Sequence, residues 1–500
     1  MIWHILRREL LDHLTSLRFA LTIVILVALM ITNAIVHLQI YPKKVRRYSE
    51  RVTASQNALA SRTQLYELLQ KGPGPLYKRP SSLAFVADGG DAFLPAKVES
   101  NVSWKKTGIG GKLESIWSMS FPVLNMGTIN NLRPSTVVID WVFVITYLLS
   151  FIPLVFTFDA IAGEREQGTL RLCLANPISR PALLTGKFLG AFITVLIPFY
   201  LAVLCNLAII STNNWTQLGA EDWGRLGIII LIASGYAGIF VAVGILVSAT
   251  TQESRLSLVL LLLIWMTVVV FMPSTLGTLA AKWLPLLQTP QQFEIRKADA
   301  LDQLERDFER QMNPTSGNII NKLLTLRRMP AEEAEKLAIQ EIERRGDSHL
   351  EVMQKYVNKD VEIRERLNRE QLAAQWTQVL RARQITRCSP AAIVQYALES
   401  MARTGLNRHL QFFDGVDLYL RQFRNFIVEM DRSDPESLHL IGIPQGMSKK
   451  PVSPEAVPKF EDRIRFQDTI NFAIGDILLL LLLLGIGLLG AFLVFLRTEI

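Results

Sequence analysis

The chain has 500 residues, half of them hydrophobic and a fifth charged, with a formal net charge of +8 at pH 7. These averages conceal two populations: residues 281–470 hold 29 Lys+Arg and 28 Asp+Glu, whereas Ile477 to Phe495 holds no charged residue. Such alternation excludes an ordinary soluble globule and a disordered chain, and describes a polytopic membrane protein. Three cysteines (Cys173, Cys205, Cys388) without a C-x-x-C pair exclude a disulfide-stapled fold and a thiolate zinc site. Six histidines without H-x-x-x-H spacing argue against a histidine-rich metal site, so no metal is expected.

A transmembrane helix needs roughly 20 largely apolar residues, and six stretches qualify: 19–41, 136–158, 188–211, 225–249, 256–280 and 474–496. Ahead of the first, Trp3, Leu6, Leu10, Leu14 and Leu17 form one apolar stripe, with Arg7, Arg8, Asp12 and Ser16 elsewhere. That pattern fits a surface-lying helix over 1–18 or the start of a longer first span. The apolar run from Phe19 to Val36 is too long for a secretory signal, and no A-x-A site follows it; an uncleaved signal anchor is expected. Segments 1–18, 159–187, 250–255 and 497–500 carry Arg7, Arg8, Arg18, Arg165, Arg171, Arg180, Lys187, Arg255 and Arg497, whereas the short loop 212–224 holds Glu221 and Asp222 and no basic residue. This bias places both termini in the cytoplasm. Lys43, Lys44, Arg46 and Arg47, directly after the first span, oppose it.

Two regions are then extracytoplasmic. Residues 42–135 contain 14 basic and 6 acidic residues. That excess either attracts anionic headgroups or an acidic cargo, or is the solvated face of a small domain. Residues 281–473 read as helical. A charged, periodic stretch runs from Gln291 to Met312, and Pro330 opens a helix with Glu332 and Glu333 in its first turn. Leu350, Met353, Val357 and Val361 form one stripe and Phe413, Val416, Leu420 and Phe423 another, with a helix from Ser389–Pro390 to Met401 between them. Five prolines between Pro435 and Pro458 mark an extended return to the last span. The expected fold is an all-α polytopic membrane protein with six spans, an N-terminal interfacial helix and a mainly helical extracytoplasmic domain.

The loop 159–187 between the second and third spans is the most informative stretch. A charged turn, Glu164–Arg165–Glu166, is followed by Gly168–Thr169, which permits a bend into a short helix with Leu170, Cys173 and Leu174 on one face. Asn176–Pro177 ends that helix, and Ser179 caps the lead-in to the third span, with Arg180 and Pro181 in its first turn. A short amphipathic helix wired to two spans is either a lever or an interfacial helix resting on lipid.

The string Gly163-Glu-Arg-Glu-Gln-Gly-Thr-Leu, with Leu174-Ala-Asn-Pro-Ile-Ser-Arg and Gly186-Lys187 after it, resembles the signature of ABC-2-type ABC-transporter permeases. It is most similar to the branch that contains the permease of nitrous-oxide-reductase copper-site maturation. The resemblance covers about 260 residues of the membrane core, and it implies that 1–18 is an elbow helix and that the loop is a coupling helix docking in a groove of an ATPase subunit. It further implies two copies of that ATPase, which carry ATP and Mg, and a second permease, identical or related. On this reading Glu164, Arg165 and Glu166 make polar contacts with the ATPase, Leu170, Cys173 and Leu174 fill its groove, Gly168 and Pro177 fix the helix geometry, and Thr169, Ser179 and Arg180 belong to the same ATPase-coupling segment. The large outer region departs from compact family members. Its stretch Cys388-Ser-Pro-Ala to Phe412 resembles a subfamily with a domain between the last two spans.

No G-x-x-x-x-G-K-[ST] occurs, since Gly108-Ile-Gly-Gly-Lys112 has the wrong spacing and is followed by Leu113. G-x-S-x-G and H-E-x-x-H are also missing. The chain is therefore expected to bind no cofactor, to be no enzyme and to contact no nucleic acid. Polar residues within spans are costly and default to functional hypotheses; Asp140, Asn33 and Asn206 could line a translocation path, hydrogen-bond between helices, or in the case of Asp140 lie solvated at the interface. Three readings follow: a permease exporting a substrate across a bacterial inner membrane, a mechanotransmission subunit that moves a periplasmic partner without transport, and an ATPase-independent scaffold or sensor. The first two share lipid and ATPase as partners.

Overall fold

A computed structural model describes residues 2–88, 94–101, 104–106, 112–114, 116–120, 139–170, 179–212, 218–283, 290–312, 331–462 and 466–497. Among the described residues helices dominate, and six helical stretches are long and apolar enough to cross a membrane, as expected for an all-α polytopic protein. The leader helix α1 (Ile2–Leu14) turns at Ser16, whose hydroxyl caps α2 (Leu17–Ala60) by accepting from the Phe19 N–H. At 44 residues, α2 is about 66 Å long. It continues far past the apolar stretch 19–41, because Pro42 is the only helix breaker on the way and good helix formers follow.

A short helix α3 (Leu65–Lys71) follows, then an antiparallel sheet of β1 (Leu76–Tyr77), β2 (Lys97–Asn101) and, after two strands, β5 (Ser118–Ser120). The intervening β3 (Trp104–Lys106) and β4 (Lys112–Glu114) pair as a hairpin. The second span, α4, starts as Trp141–Phe143, widens to π-helix over Val144–Leu148 and continues as Leu149–Thr157. The turn helix α5 (Ala162–Glu166) leads to the third and fourth spans, α6 (Arg180–Ser211) and α7 (Ala220–Thr250). The fifth span, α8, runs Ser254–Trp265, through a π-helical Met266–Phe271, and on as Met272–Trp283. Then come α9 (Pro290–Met312), α10 (Ala331–Thr386), α11 (Pro390–Met401), α12 (Gly405–Arg432) and the last span, α13 (Phe466–Arg497).

The two outer regions share one core, where the sequence suggested two units. Leu59, Leu65 and Leu68 from the first pack with Val357, Val361, Phe412, Phe413, Val416, Leu420 and Phe423 from the second. The backbone joins them as well: Val452 donates to Thr63 O at 2.7 Å, and the Arg79 N–H donates to Asp462 at 2.7 Å. Along one side α9 lies antiparallel to α10, with Phe308 on Tyr356 (ring centroids 4.4 Å apart) and Arg296 on Glu370 at 3.3 Å. At 56 residues, α10 is about 84 Å long.

The same outer region also enters the spans' core. Helix α11 was legible as a helix, but its side chains join the membrane cluster: Ala391, Ile393, Val394, Ala397, Leu398 and Met401 pack with residues of α2, α4, α6, α7, α8 and α13. The segment 81–88 does the same with Leu83, Phe85, Val86 and Ala87. Its carbonyls accept the first N–H groups of α4, Val142 N to Val86 O at 3.0 Å and Trp141 N to Phe85 O at 3.4 Å. An α-helix leaves its first four N–H groups without intrahelical partners, so this loop completes the buried start of α4.

Candidate functional site: the loop joining the second and third spans

On the face of the membrane that holds α1, polar side chains of residues 159–166 and 180, which follow on from α4, reach the ends of the other five spans. Asp159, just past the end of α4, accepts from Arg18 at the start of α2 at 3.0 Å. Ser248 near the end of α7 accepts from the N–H groups of Ile161 and Ala162, each at 3.0 Å, and donates to Phe158 O at 3.0 Å. Arg165 donates to Thr251 O at 2.8 Å and to Ala249 O at 3.2 Å. Those are terminal carbonyls of α7, which lack intrahelical donors and sit at the negative end of the helix dipole. Glu166 does the converse for α8, accepting from the Ser254 N–H at 3.2 Å and its hydroxyl at 2.9 Å.

Lys187 of α6 is 3% exposed and donates to Glu164 at 2.7 Å and to Glu9 of α1 at 2.8 Å. Arg180 donates to Leu496 O at 2.8 Å and so reaches the end of α13. Leader helix α1 lies close on α6 because Gly186 and Gly190 face it; a Cβ at Gly186 would stand 2.7 Å from Ile5 Cγ2 and one at Gly190 2.9 Å from Glu9 Cβ. One flank of α1, with Ile5, Leu6, Glu9 and Leu10, is therefore partly buried, while Trp3 and Leu11 stay exposed.

Of the residues expected to meet an ATPase, Glu164 and Arg165 are partly buried and Glu166 is exposed. Glu164, Arg165 and Glu166 are bonded to span ends, and Leu170 is 2% exposed in a core with Ile161, Leu183, Leu184, Ile245 and Phe495. The physical reason is that, of the span ends meeting here, those of α7, α8 and α13 have unsatisfied backbone groups and a charged partner within reach. Gly168 has φ +71°, a left-handed conformation that suits glycine, and the Thr169 hydroxyl donates back to Glu164 O at 3.2 Å. Ser179 occupies the N-cap position of α6, but its hydroxyl makes no capping bond, unlike the expectation; Pro181 does stand in the first turn. Cys173, Leu174 and Pro177 lie outside the described residues. Sequence reading missed the exposed tip Gln167, and also Glu9, Lys187, Ser248 and Ser254 as the partners; their signal was only that polar residues stand at span ends.

The three polar residues proposed for a path lie at the other face or within the spans and bond inside the chain. Asn206 donates to Asn33 Oδ1 at 2.9 Å and to Met30 O at 2.6 Å, and accepts from the Trp141 indole at 3.2 Å. Asn33 donates to Ile139 O at 2.8 Å and Phe85 O at 3.1 Å. Asp140 is not a turn inside the second span but its N-cap, accepting from the Phe143 N–H at 2.8 Å and from the Asp88 N–H at 3.1 Å.

At that far face, α11 is keyed to the spans by polar bonds. Ser389 donates to Val268 O at 2.7 Å, a carbonyl in the π-helical turn of α8. Arg387 pairs with Asp476 of α13 at 2.7 Å, and Arg383 pairs with Glu399 within the insertion at 2.8 Å. Tyr236 of α7 donates to Thr146 O in the π-helical turn of α4 at 3.1 Å.

Six candidate spans whose same-side ends are joined through one segment define a polytopic membrane protein. The chain belongs to the family described as ABC-2 family transporter proteins, which matches residues 3–499. The resemblance read from the 163–187 motif therefore holds. Two similar proteins carry the name "Probable ABC transporter permease protein NosY". That of Stutzerimonas stutzeri is 33% identical over 124 residues, 24% of this chain and 44% of its own length. That of Pseudomonas aeruginosa is 45% identical over 69 residues, 13% of this chain and 25% of its own length. The chain thus spans less than half the length of either relative it matches. Family and fold together make this chain a multi-pass membrane protein of the ABC-transporter permease type.

Proposed function

We propose that this permease is driven at its loop face by a separate ATPase subunit, in an assembly of two ATPase copies and two permeases, the second identical or related, and that it exports a substrate. ATP and Mg belong to the ATPase; this chain contributes a docking surface and the moving spans. The observation that carries the reading is the convergence of six span ends on residues 159–180. Charge-assisted hydrogen bonds are short and directional, so a push on the exposed Gln167–Gly168 turn reaches α2, α6, α7, α8 and α13 together. Glu164, Arg165, Glu166 and Leu170 are then positioning residues that hold the turn. Asn33, Asn206 and Asp140 are architectural, tying α2, α4 and α6 to the inserted 81–88 segment. Arg7, Arg8, Arg180 and Arg255 all lie at the loop face, which favours a cytoplasmic loop face in a bacterial inner membrane.

Affinity purification of the full chain from its native membrane tests this. A P-loop ATPase should accompany the wild type and be lost from Gln167→Trp, while the yield and melting temperature of the folded permease stay the same. Absence of any ATPase from the wild type under gentle detergent conditions would sink the reading.

A second reading, mechanotransmission, is favoured by α11. The outer region is seated among the spans and bonded to α8 and α13, so span motion must reach α10, which adjoins it. That reading expects a stable periplasmic partner on the outer region and no translocated substrate.

A further inference from the structure

We propose that Lys43 and Arg47 bind the headgroup phosphate of an anionic phospholipid at the far-face boundary of the membrane. The outward side of α2 supplies the first observation. Ile25, Val36 and Ile40 are exposed apolar residues, and Lys43 and Arg47 follow Ile40 at steps of three and four, so all five share one helix face. The lipid-facing stripe thus runs straight into two cations, both exposed.

Their neighbours are already neutralised: Lys44 pairs with Asp88 at 3.4 Å and Arg46 with Glu50 at 2.8 Å. Among the described residues, no acidic side chain pairs with Lys43 or Arg47. A chain of bonds fixes their depth. Lys44 meets Asp88, whose N–H donates to Asp140 at the start of α4, and Ser82 of the same inserted segment donates to Asp222 in the first turn of α7 at 3.0 Å. Next to Asp222 stands Trp223, 50% exposed, a residue type that prefers the membrane–water interface. Lys43 and Arg47 therefore emerge where headgroups lie, one helical turn apart, with donors that can converge on one phosphodiester.

Charge selects the occupant. A second copy on this face would set two pairs of cations against each other, and a zwitterionic headgroup would leave them without net compensation. An anionic lipid supplies one negative charge at the right depth while its acyl chains cover the Ile25–Ile40 stripe. The inference depends on the spans and not on which compartment either face meets, so it stands apart from the ATPase reading.

The test is native mass spectrometry of the full chain titrated with phosphatidylglycerol, with phosphatidylcholine, and with soluble glycerol phosphate. Phosphatidylglycerol should be retained over phosphatidylcholine, and Lys43→Gln with Arg47→Gln should lower its affinity about thirtyfold. The loop-face pair Arg7→Gln with Arg8→Gln should leave that high-affinity retention in place. Equal retention by wild type and the Lys43/Arg47 variant would overturn the proposal. So would effective competition by glycerol phosphate, which would mark a site for a free anion, or retention of an acidic protein in place of lipid.

Discussion

The two faces of the membrane are held by different physics. At the loop face, span ends are joined by charged and polar side chains drawn from one short segment, with Lys187 between Glu9 and Glu164 at its centre. At the far face, span ends are filled by inserted chain, α11 and residues 81–88, whose apolar side chains continue the membrane core. Directional bonds transmit a displacement and can exchange partners, whereas close packing resists deformation until a whole element moves. On the proposed function, the loop face receives motion and the far face moves as a block.

The largest expected effect comes from breaking the loop-face centre. Lys187→Met leaves Glu9 and Glu164 without their shared cation in a buried site, which should cost about 3–5 kcal/mol and lower the thermal midpoint of the purified chain sharply. An unchanged midpoint would show that the loop face is not held by charge. A far-side pH dependence sharpens the contrast next. His409 is fully buried against Trp376 and Phe413, and burial pushes its imidazole down from 6.5 to about 2. Below pH 6.5 the unfolded chain takes up a proton that the folded chain refuses, so stability falls with pH. The expected slope approaches ~1.4 kcal/mol per unit as pH drops well below 6.5, and His409→Phe should flatten it in melts between pH 7 and 5.

Asp476→Ala should cost about 2 kcal/mol, less than Lys187→Met, because Arg387 is about a third exposed and can turn to water. A hydrogen-exchange measurement should place the loosening in α11 and not in the 159–170 turn; loosening in the turn would mean that the faces are not separate blocks. Asp159→Asn is the mildest test. Its pair with Arg18 has both side chains at least a third exposed, so the midpoint should move by less than about 1 kcal/mol equivalent.

Much of this architecture was legible in the amino-acid order. Six apolar runs mark six spans because hydropathy is a local property and the bilayer demands a fixed length. The charged turn with Gly168 marked the segment that bonds to the span ends, and the stripe Phe413, Val416, Leu420, Phe423 marked a buried face of α12. Other features depended on neighbours far along the chain. Asn33 meets Asn206 across 173 positions, and Arg387 meets Asp476 across 89. Nothing in the spacing of either pair names its partner.

What the sequence determined by itself is therefore which segments enter the membrane, which stay polar, and where the informative loop lies, since composition and period act within a turn or two of helix. The tertiary structure alone decided three things. Arg165 and Glu166 of that loop bond to the ends of α7 and α8 because unsatisfied helix ends lie within their reach. The 12-residue α11, too short to span, is buried because the spans leave room for it. Two regions separated by four spans fold around one core because each supplies an apolar face that the other covers.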